Sequence, residues 1–207
     1  MKIINRFKES HKDMFEYLPA EKVLLHDTFL DRILLRFLPK SITPNGLSLF
    51  RILATPVVFL VIIYGNYTIG IIAFVLVAFT DAIDGSMART QNKITLFGKL
   101  IDPLADKLFI GSMVILLVFT YFHYWMGIAI LGLEIAIIAG AVLMKVKFKT
   151  VKSANRWGKI KMIFQCAAVF ATLIALLIDF PVLMTVAAGL FGFAIGFAIL
   201  SLFTGGI

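Results

Sequence analysis

The sequence predicts an all-α integral membrane protein: six transmembrane helices preceded by an N-terminal amphipathic helix lying in the membrane interface. Three observations carry that expectation. Of 207 residues, 60% are hydrophobic and only 15% are charged, with a mean hydropathy of +0.97. A soluble domain is about 45–50% apolar and about 25% charged, so this excess exceeds what one globular core can hold and requires lipid. The apolar residues fall into runs of about 20, the length that crosses about 30 Å of hydrocarbon. Finally, the 20 Lys and Arg residues gather on alternate connections between those runs.

In chain order, residues 1–42 read as a cytoplasmic and interfacial segment and 43–207 as one membrane domain. The opening MKIINRFKESHKDMFEYLP lacks the apolar stretch of a cleavable signal peptide, so the first spanning helix is expected to act as its own insertion signal. Within 21–40, Val23, Leu24, Phe29, Ile33, Leu34 and Phe37 fall toward one side of a helix, with Asp31, Arg32 and Arg36 mostly elsewhere. Such a segment is too charged to span and suits a helix lying on the inner surface. Spanning helices are expected at 46–65, 67–90, 96–122, 125–145, 159–179 and 181–203. YGNY (64–67) supplies a turn through its Gly and Asn, and YFHYW (121–125) reads as an interfacial aromatic belt. DFP (179–181) is another short turn, with Pro181 able to open the last helix at its first position. Cys166 is the single cysteine and reads as a small buried apolar residue.

Eight basic residues lie in 1–45, with Arg51 soon after; Arg89, Lys93, Lys99 and Lys107 surround the second connection. Lys145, Lys147, Lys149, Lys152, Arg156, Lys159 and Lys161 crowd the fourth, while the turns at 64–67, 121–125 and 179–181 have none. The positive-inside rule therefore puts both termini and the 90–99 and 145–161 connections in the cytoplasm. The net charge of +8 thus marks orientation in a cytoplasmic membrane rather than a nucleic-acid partner.

The exception to the apolar pattern is TDAIDGSMARTQNKITLFGKLIDPLADK (80–107), which holds Asp81, Asp84, Asp102 and Asp106. The first pair is spaced i,i+3 and the second i,i+4, so on helices each pair shares a face. At 1.5 Å per residue, Asp81 and Asp84 lie about 21 and 26 Å inward from Tyr67, and Asp106 and Asp102 about 24 and 30 Å inward from Phe122. Two antiparallel helices thus bring four carboxylates to one depth, just inside the cytoplasmic boundary. In low dielectric such a group needs counter-charge. An all-oxygen set on rigid helices suits Mg²⁺ or Mn²⁺, and four carboxylates can hold two ions that clamp a phosphoryl group. Gly85 and Gly98 open space for a ligand to approach the backbone, and Arg89 is placed to fork onto a phosphate.

DAIDGSMARTQNKITLFGKLIDPLAD (81–106) resembles the signature of the CDP-alcohol phosphatidyltransferase family, D-x2-D-G-x2-A-R-x8-G-x3-D-x3-D, at all eight fixed positions. The resemblance implies a six-helix membrane fold with a cytoplasm-facing site. It implies that an acceptor hydroxyl attacks the lipid-side phosphate of a CDP-linked lipid and releases CMP. Asp81, Asp84 and Asp102 would be the principal metal ligands, and Asp106 the general base, also able to touch a metal. Asp84, Gly85, Ala88, Arg89 and Gly98, with Asn45 from TPNGLSLFR (43–51), would line the nucleotide site. A homodimer is implied as well.

DPLADK (102–107) resembles the members of the family that make phosphatidylglycerophosphate from CDP-diacylglycerol and glycerol 3-phosphate. GKIKMIFQ (158–165) is similar to their G-K-x-K-T-x2-Q, which implies Lys159, Lys161 and Gln165, with Arg51, at the acceptor. Met162 departs from that pattern where threonine is usual, and Leu133 stands where arginine usually precedes Glu134. The alternatives within the family are phosphatidylglycerol, as in cardiolipin synthesis, or inositol phosphate as acceptor. Glu134, within a span, suits either function or helix pairing. Gly132, Ala136 and Gly140 form one ladder of small residues and Gly192 and Gly196 another, expected to serve packing within one subunit, with dimer contact as the alternative. A cation transporter is the rival from another class, opposed by the clustering of all four aspartates at one depth. A non-catalytic scaffold would leave Arg89, Gly85 and Gly98 unexplained.

Overall fold

A computed structural model describes residues 17–18, 39, 42–91, 93–148 and 156–204. The interfacial helix expected over 21–40 lies, Pro39 apart, outside the described residues, as does the basic stretch 149–155. The elements are β1 (Tyr17–Leu18), α1 (Pro44–Ile63), α2 (Tyr67–Thr90), β2 (Ile94–Thr95), α3 (Leu96–Tyr121), α4 (Tyr124–Phe148), α5 (Arg156–Ile178) and α6 (Pro181–Phe203). Each helix starts and ends within about three residues of its expected bounds. Five of them, α1, α2, α3, α5 and α6, are long and apolar enough to cross a membrane, and the Tyr124–Gly140 part of α4 is a shorter apolar stretch. Large apolar side chains face outward along these helices, Leu53 65% and Leu76 61% exposed, as lipid-facing residues do. The protein is an all-α membrane protein, with one small strand pair added.

Local chemistry sets the helix ends. Pro44 opens α1, and the Thr43 hydroxyl caps it by accepting from the Gly46 amide at 3.2 Å. Gly65, at φ 76°, turns the chain, and the Asn66 side chain caps α2 by accepting from the Ile69 amide at 3.2 Å. The Thr95 hydroxyl caps α3, accepting from the Gly98 amide at 2.9 Å. Before α6, Asp179 takes φ 50° and Pro181 opens the helix. β1 and β2 pair antiparallel, Tyr17 opposite Thr95 and Leu18 opposite Ile94. Strands of two residues carry no readable alternation, which is why periodicity gave no hint of them.

The chain divides into two compact units, one of Met1–Leu60 and Ile72–Phe109, the other of Val61–Ile71 and Ile110–Ile207. In the first, Phe74 stacks on Phe109 with centroids 5.3 Å apart, and Ile83 and Met87 pack with Ile42 and Leu47. In the second, α5 packs along α6, where Phe164 meets Phe193 and Phe197, and Trp157 stacks on Phe197. The Tyr67 and Tyr121 hydroxyls also share a hydrogen bond of 2.5 Å there. An added Cβ at Gly132, Gly192 or Gly196 would meet nothing within 4 Å. These ladder glycines are therefore not points of close helix approach within their unit, contrary to the packing role expected of them.

Candidate active site

The first unit gathers its polar residues on the facing sides of α1, α2 and α3. On α1, Pro44, Ser48, Arg51 and Thr55 recur every three or four residues and so share one face, all buried. The Thr55 hydroxyl donates to the Arg51 carbonyl at 2.8 Å, which anchors the backbone beneath the guanidinium. Arg51 is 1% exposed, and its two terminal nitrogens reach three carboxylates. Nη2 donates to Asp84 Oδ2 at 2.6 Å; Nη1 lies 3.2 Å from Asp81 Oδ1 and donates to Asp106 Oδ1. Nε lies 3.5 Å from the Thr80 hydroxyl. Asp102 accepts from the Ser48 hydroxyl at 2.5 Å, and that hydroxyl lies 3.5 Å from Asp84 Oδ2. Asp84 is buried, Asp102 and Asp106 are half-buried, and Asp81 is half exposed at the rim.

Beside this cluster lies a cavity of about 310 Å³ lined by Pro44, Asn45, Gly85, Ala88, Arg89, Lys93, Ile94, Thr95, Gly98, Lys99 and Asp102. Five of the residues expected at the nucleotide, Asn45, Gly85, Ala88, Arg89 and Gly98, thus line one space. The sixth, Asp84, belongs to the carboxylate cluster. The glycines do different jobs. A Cβ at Gly98 would stand 2.7 Å from Asn45 Oδ1 and 3.2 Å from Thr95 Oγ1, so the glycine leaves room for these two side chains as they are placed. A Cβ at Gly85 would meet the Arg89 guanidinium at 3.3 Å, so Gly85 makes room for the arginine that shares its helix face. Asn45 is oriented by the Thr95 hydroxyl, which donates to its Oδ1 at 3.1 Å.

Lys159, Lys161 and Gln165 belong to the second unit. Lys161 and Gln165 are buried one turn apart on α5, and both donate to Glu134 Oε1 on α4, Gln165 Nε2 at 3.2 Å. Lys159 is exposed in the first turn of α5. Glu134 is thereby a helix-pairing residue, one of the two roles expected of it.

The donor chemistry around Arg51 is all oxygen, and its carboxylates surround a cation, which fits a hard divalent ion. Among the described residues, however, no three acidic, His or Cys side chains converge on one point as metal ligands do. The carboxylates turn to the guanidinium and to Ser48 instead. Sequence reasoning missed Ser48, Thr55, Thr80 and Thr95. Of these, Thr95 was findable as a hydroxyl residue directly before an apolar run, and Thr55 as a helix-face neighbour of Arg51.

A buried guanidinium, the carboxylates around it and an adjoining cavity, in a protein of apolar spanning helices, define a protein that handles a charged group. The family profile described as CDP-alcohol phosphatidyltransferase matches residues 41–200. The chain belongs to the CDP-alcohol phosphatidyltransferase family and is an enzyme of phospholipid synthesis. It is similar to the CDP-diacylglycerol–glycerol-3-phosphate 3-phosphatidyltransferase of Bacillus subtilis, 35% identical over 147 residues that cover 63% of this chain and 76% of that protein. Its likeness to the enzyme of the same name in Rickettsia felis is 44% over 77 residues, 36% of this chain and 42% of that one. A protein of Drosophila melanogaster named "Probable cardiolipin synthase (CMP-forming)" is 33% identical over 117 residues, 55% of this chain and 36% of that one. The chain thus spans about three quarters of the first relative and less than half of the other two. With the family established, the ion-transport alternative loses its ground.

Proposed function

We propose that this protein transfers a phosphatidyl group from CDP-diacylglycerol to glycerol 3-phosphate, giving phosphatidylglycerophosphate and CMP. The observation that carries this reading is the position of Asp102, which accepts from Ser48 beside the carboxylate cluster and also lines the 310 Å³ cavity. A nucleotide in that cavity would direct its diphosphate at the carboxylates. Asn45, Gly85, Ala88, Arg89 and Gly98 bind the nucleotide end, with the Arg89 guanidinium on a phosphate. Asp81, Asp84 and Asp102 would hold a divalent cation, Mg²⁺ or Mn²⁺, and Asp106 would be able to join them in holding a second. The chemistry such a cation would supply there is charge neutralisation, of the diphosphate and of the departing CMP.

Asp106 takes the proton of the acceptor hydroxyl as its oxygen attacks the lipid-side phosphorus. The new P–O bond forms as the phosphoanhydride bond breaks, and CMP leaves with the bonding electron pair. Lys159, Lys161 and Gln165 serve the acceptor phosphate. The six-span arrangement in a cytoplasmic membrane, with both termini and the site toward the cytoplasm, and a homodimer belong to the same reading.

The decisive experiment incubates purified protein with CDP-diacylglycerol and Mn²⁺ and measures CMP release against glycerol 3-phosphate, phosphatidylglycerol, inositol phosphate and serine. Release with glycerol 3-phosphate alone is expected, and its loss in Asp106→Asn. A second reading, phosphatidylglycerol as acceptor, is favoured by the engagement of Lys161 and Gln165 with Glu134, which leaves less free positive charge for a phosphomonoester. Release with phosphatidylglycerol instead would establish it.

A further inference from the structure

We propose that Arg51 is a built-in counter-ion of the aspartate cluster, holding the carboxylates together in the metal-free protein and competing with a divalent cation for them. This rests on the metal reading above and concerns a residue whose contacts are with the carboxylates themselves. Arg51 is 1% exposed, and its Nη1, Nη2 and Nε each face a carboxylate or a hydroxyl.

The electrostatic case is direct. Arginine stays protonated in any protein environment, so Arg51 cannot relieve its burial by losing a proton, as a lysine can. A buried guanidinium persists only where carboxylates match it, and here carboxylates from two helices do so: Asp81 and Asp84 from α2, and Asp106 from α3. The converse also holds. Without a positive charge among them, four carboxylates at one depth would repel one another and drive α2 and α3 apart. Arg51 thus does for the empty protein what a metal does for the loaded one. Because Asp81, Asp84 and Asp106 turn to the guanidinium and Asp102 to Ser48, no three of them converge on a point. An incoming cation therefore meets a cluster one charge less negative, with three carboxylate groups already engaged. Arg51 is in this sense a positioning residue that sets the threshold for metal binding.

The test measures Mn²⁺ binding, by the electron paramagnetic resonance signal of free Mn²⁺, to the full chain purified in detergent and stripped with EDTA, with no nucleotide present. Wild type, Arg51→Lys and Arg51→Gln are compared, with thermal melting recorded with and without Mn²⁺. Removing the competing charge is expected to tighten Mn²⁺ binding about 10-fold in Arg51→Gln, with Arg51→Lys between it and wild type. Metal-free Arg51→Gln should melt several degrees below wild type, and Mn²⁺ should raise its melting temperature by more than it raises that of wild type. A residue with a merely structural role would lose metal affinity on substitution, not gain it. If Arg51→Gln fails to fold, Arg51→Lys decides alone: at least twofold tighter binding supports the proposal and unchanged binding overturns it. Equal or weaker binding in folded variants, with wild type binding Mn²⁺, overturns this inference and leaves the metal reading standing. No binding by any form overturns both.

Discussion

A methyl group at Gly98 would arrive 2.7 Å from Asn45 Oδ1, against a side chain already fixed by the Thr95 hydroxyl. Gly98→Ala is therefore expected to push Asn45 into the cavity and raise the KM for CDP-diacylglycerol about tenfold, a loss of about 1.4 kcal/mol in binding. Gly192→Ala, which meets nothing within 4 Å, should leave that KM unchanged. Steady-state CMP release from both variants, beside their melting temperatures, checks the pair. At this scale the site was legible where residue type is costly in its setting. Carboxylates and an arginine within apolar helices demand a reason, and their spacing supplies one. Ser48 was not legible, because a lone serine in an apolar helix satisfies its hydroxyl on the preceding turn and signals nothing. Here it also lies 3.1 Å from the Pro44 carbonyl, so only the folded arrangement reveals Asp102 as its nearer partner.

Between elements, α4 and α5 are linked where one acid, Glu134, meets an ammonium and an amide. Removing one member leaves the other's charge uncompensated, which is worse than removing both. Lys161→Met is expected to lower stability by about 3 kcal/mol, and the double change Glu134→Leu with Lys161→Met to recover most of that. Equilibrium unfolding in mixed micelles would measure it; a double variant as unstable as the single one would refute the pairing. Helix positions were readable because about 20 apolar residues bounded by Gly, Pro and Asn leave little choice. The strand pair was not, and neither was the freedom of Gly132, Gly192 and Gly196, since a ladder of small residues permits close approach without requiring it.

For the whole molecule, the distribution of Lys and Arg predicts an orientation that labelling can read. In a Cys166→Ser background, a membrane-impermeant thiol reagent added outside intact cells is expected to label Asn66→Cys and to spare Lys93→Cys until the membrane is opened. Labelling in the reverse order would invert the proposed topology. The family match over residues 41–200 agrees with the membrane enzyme read from the sequence, while the acceptor depends on a few side chains whose partners no spacing reveals. The short pairing of Tyr17 and Leu18 with Thr95 and Ile94 reaches further than its size suggests. The family match begins at residue 41, so a protein trimmed to it would retain every aspartate and glycine of the signature. It would still be missing the outer rung of the joint that connects the two acid-bearing helices.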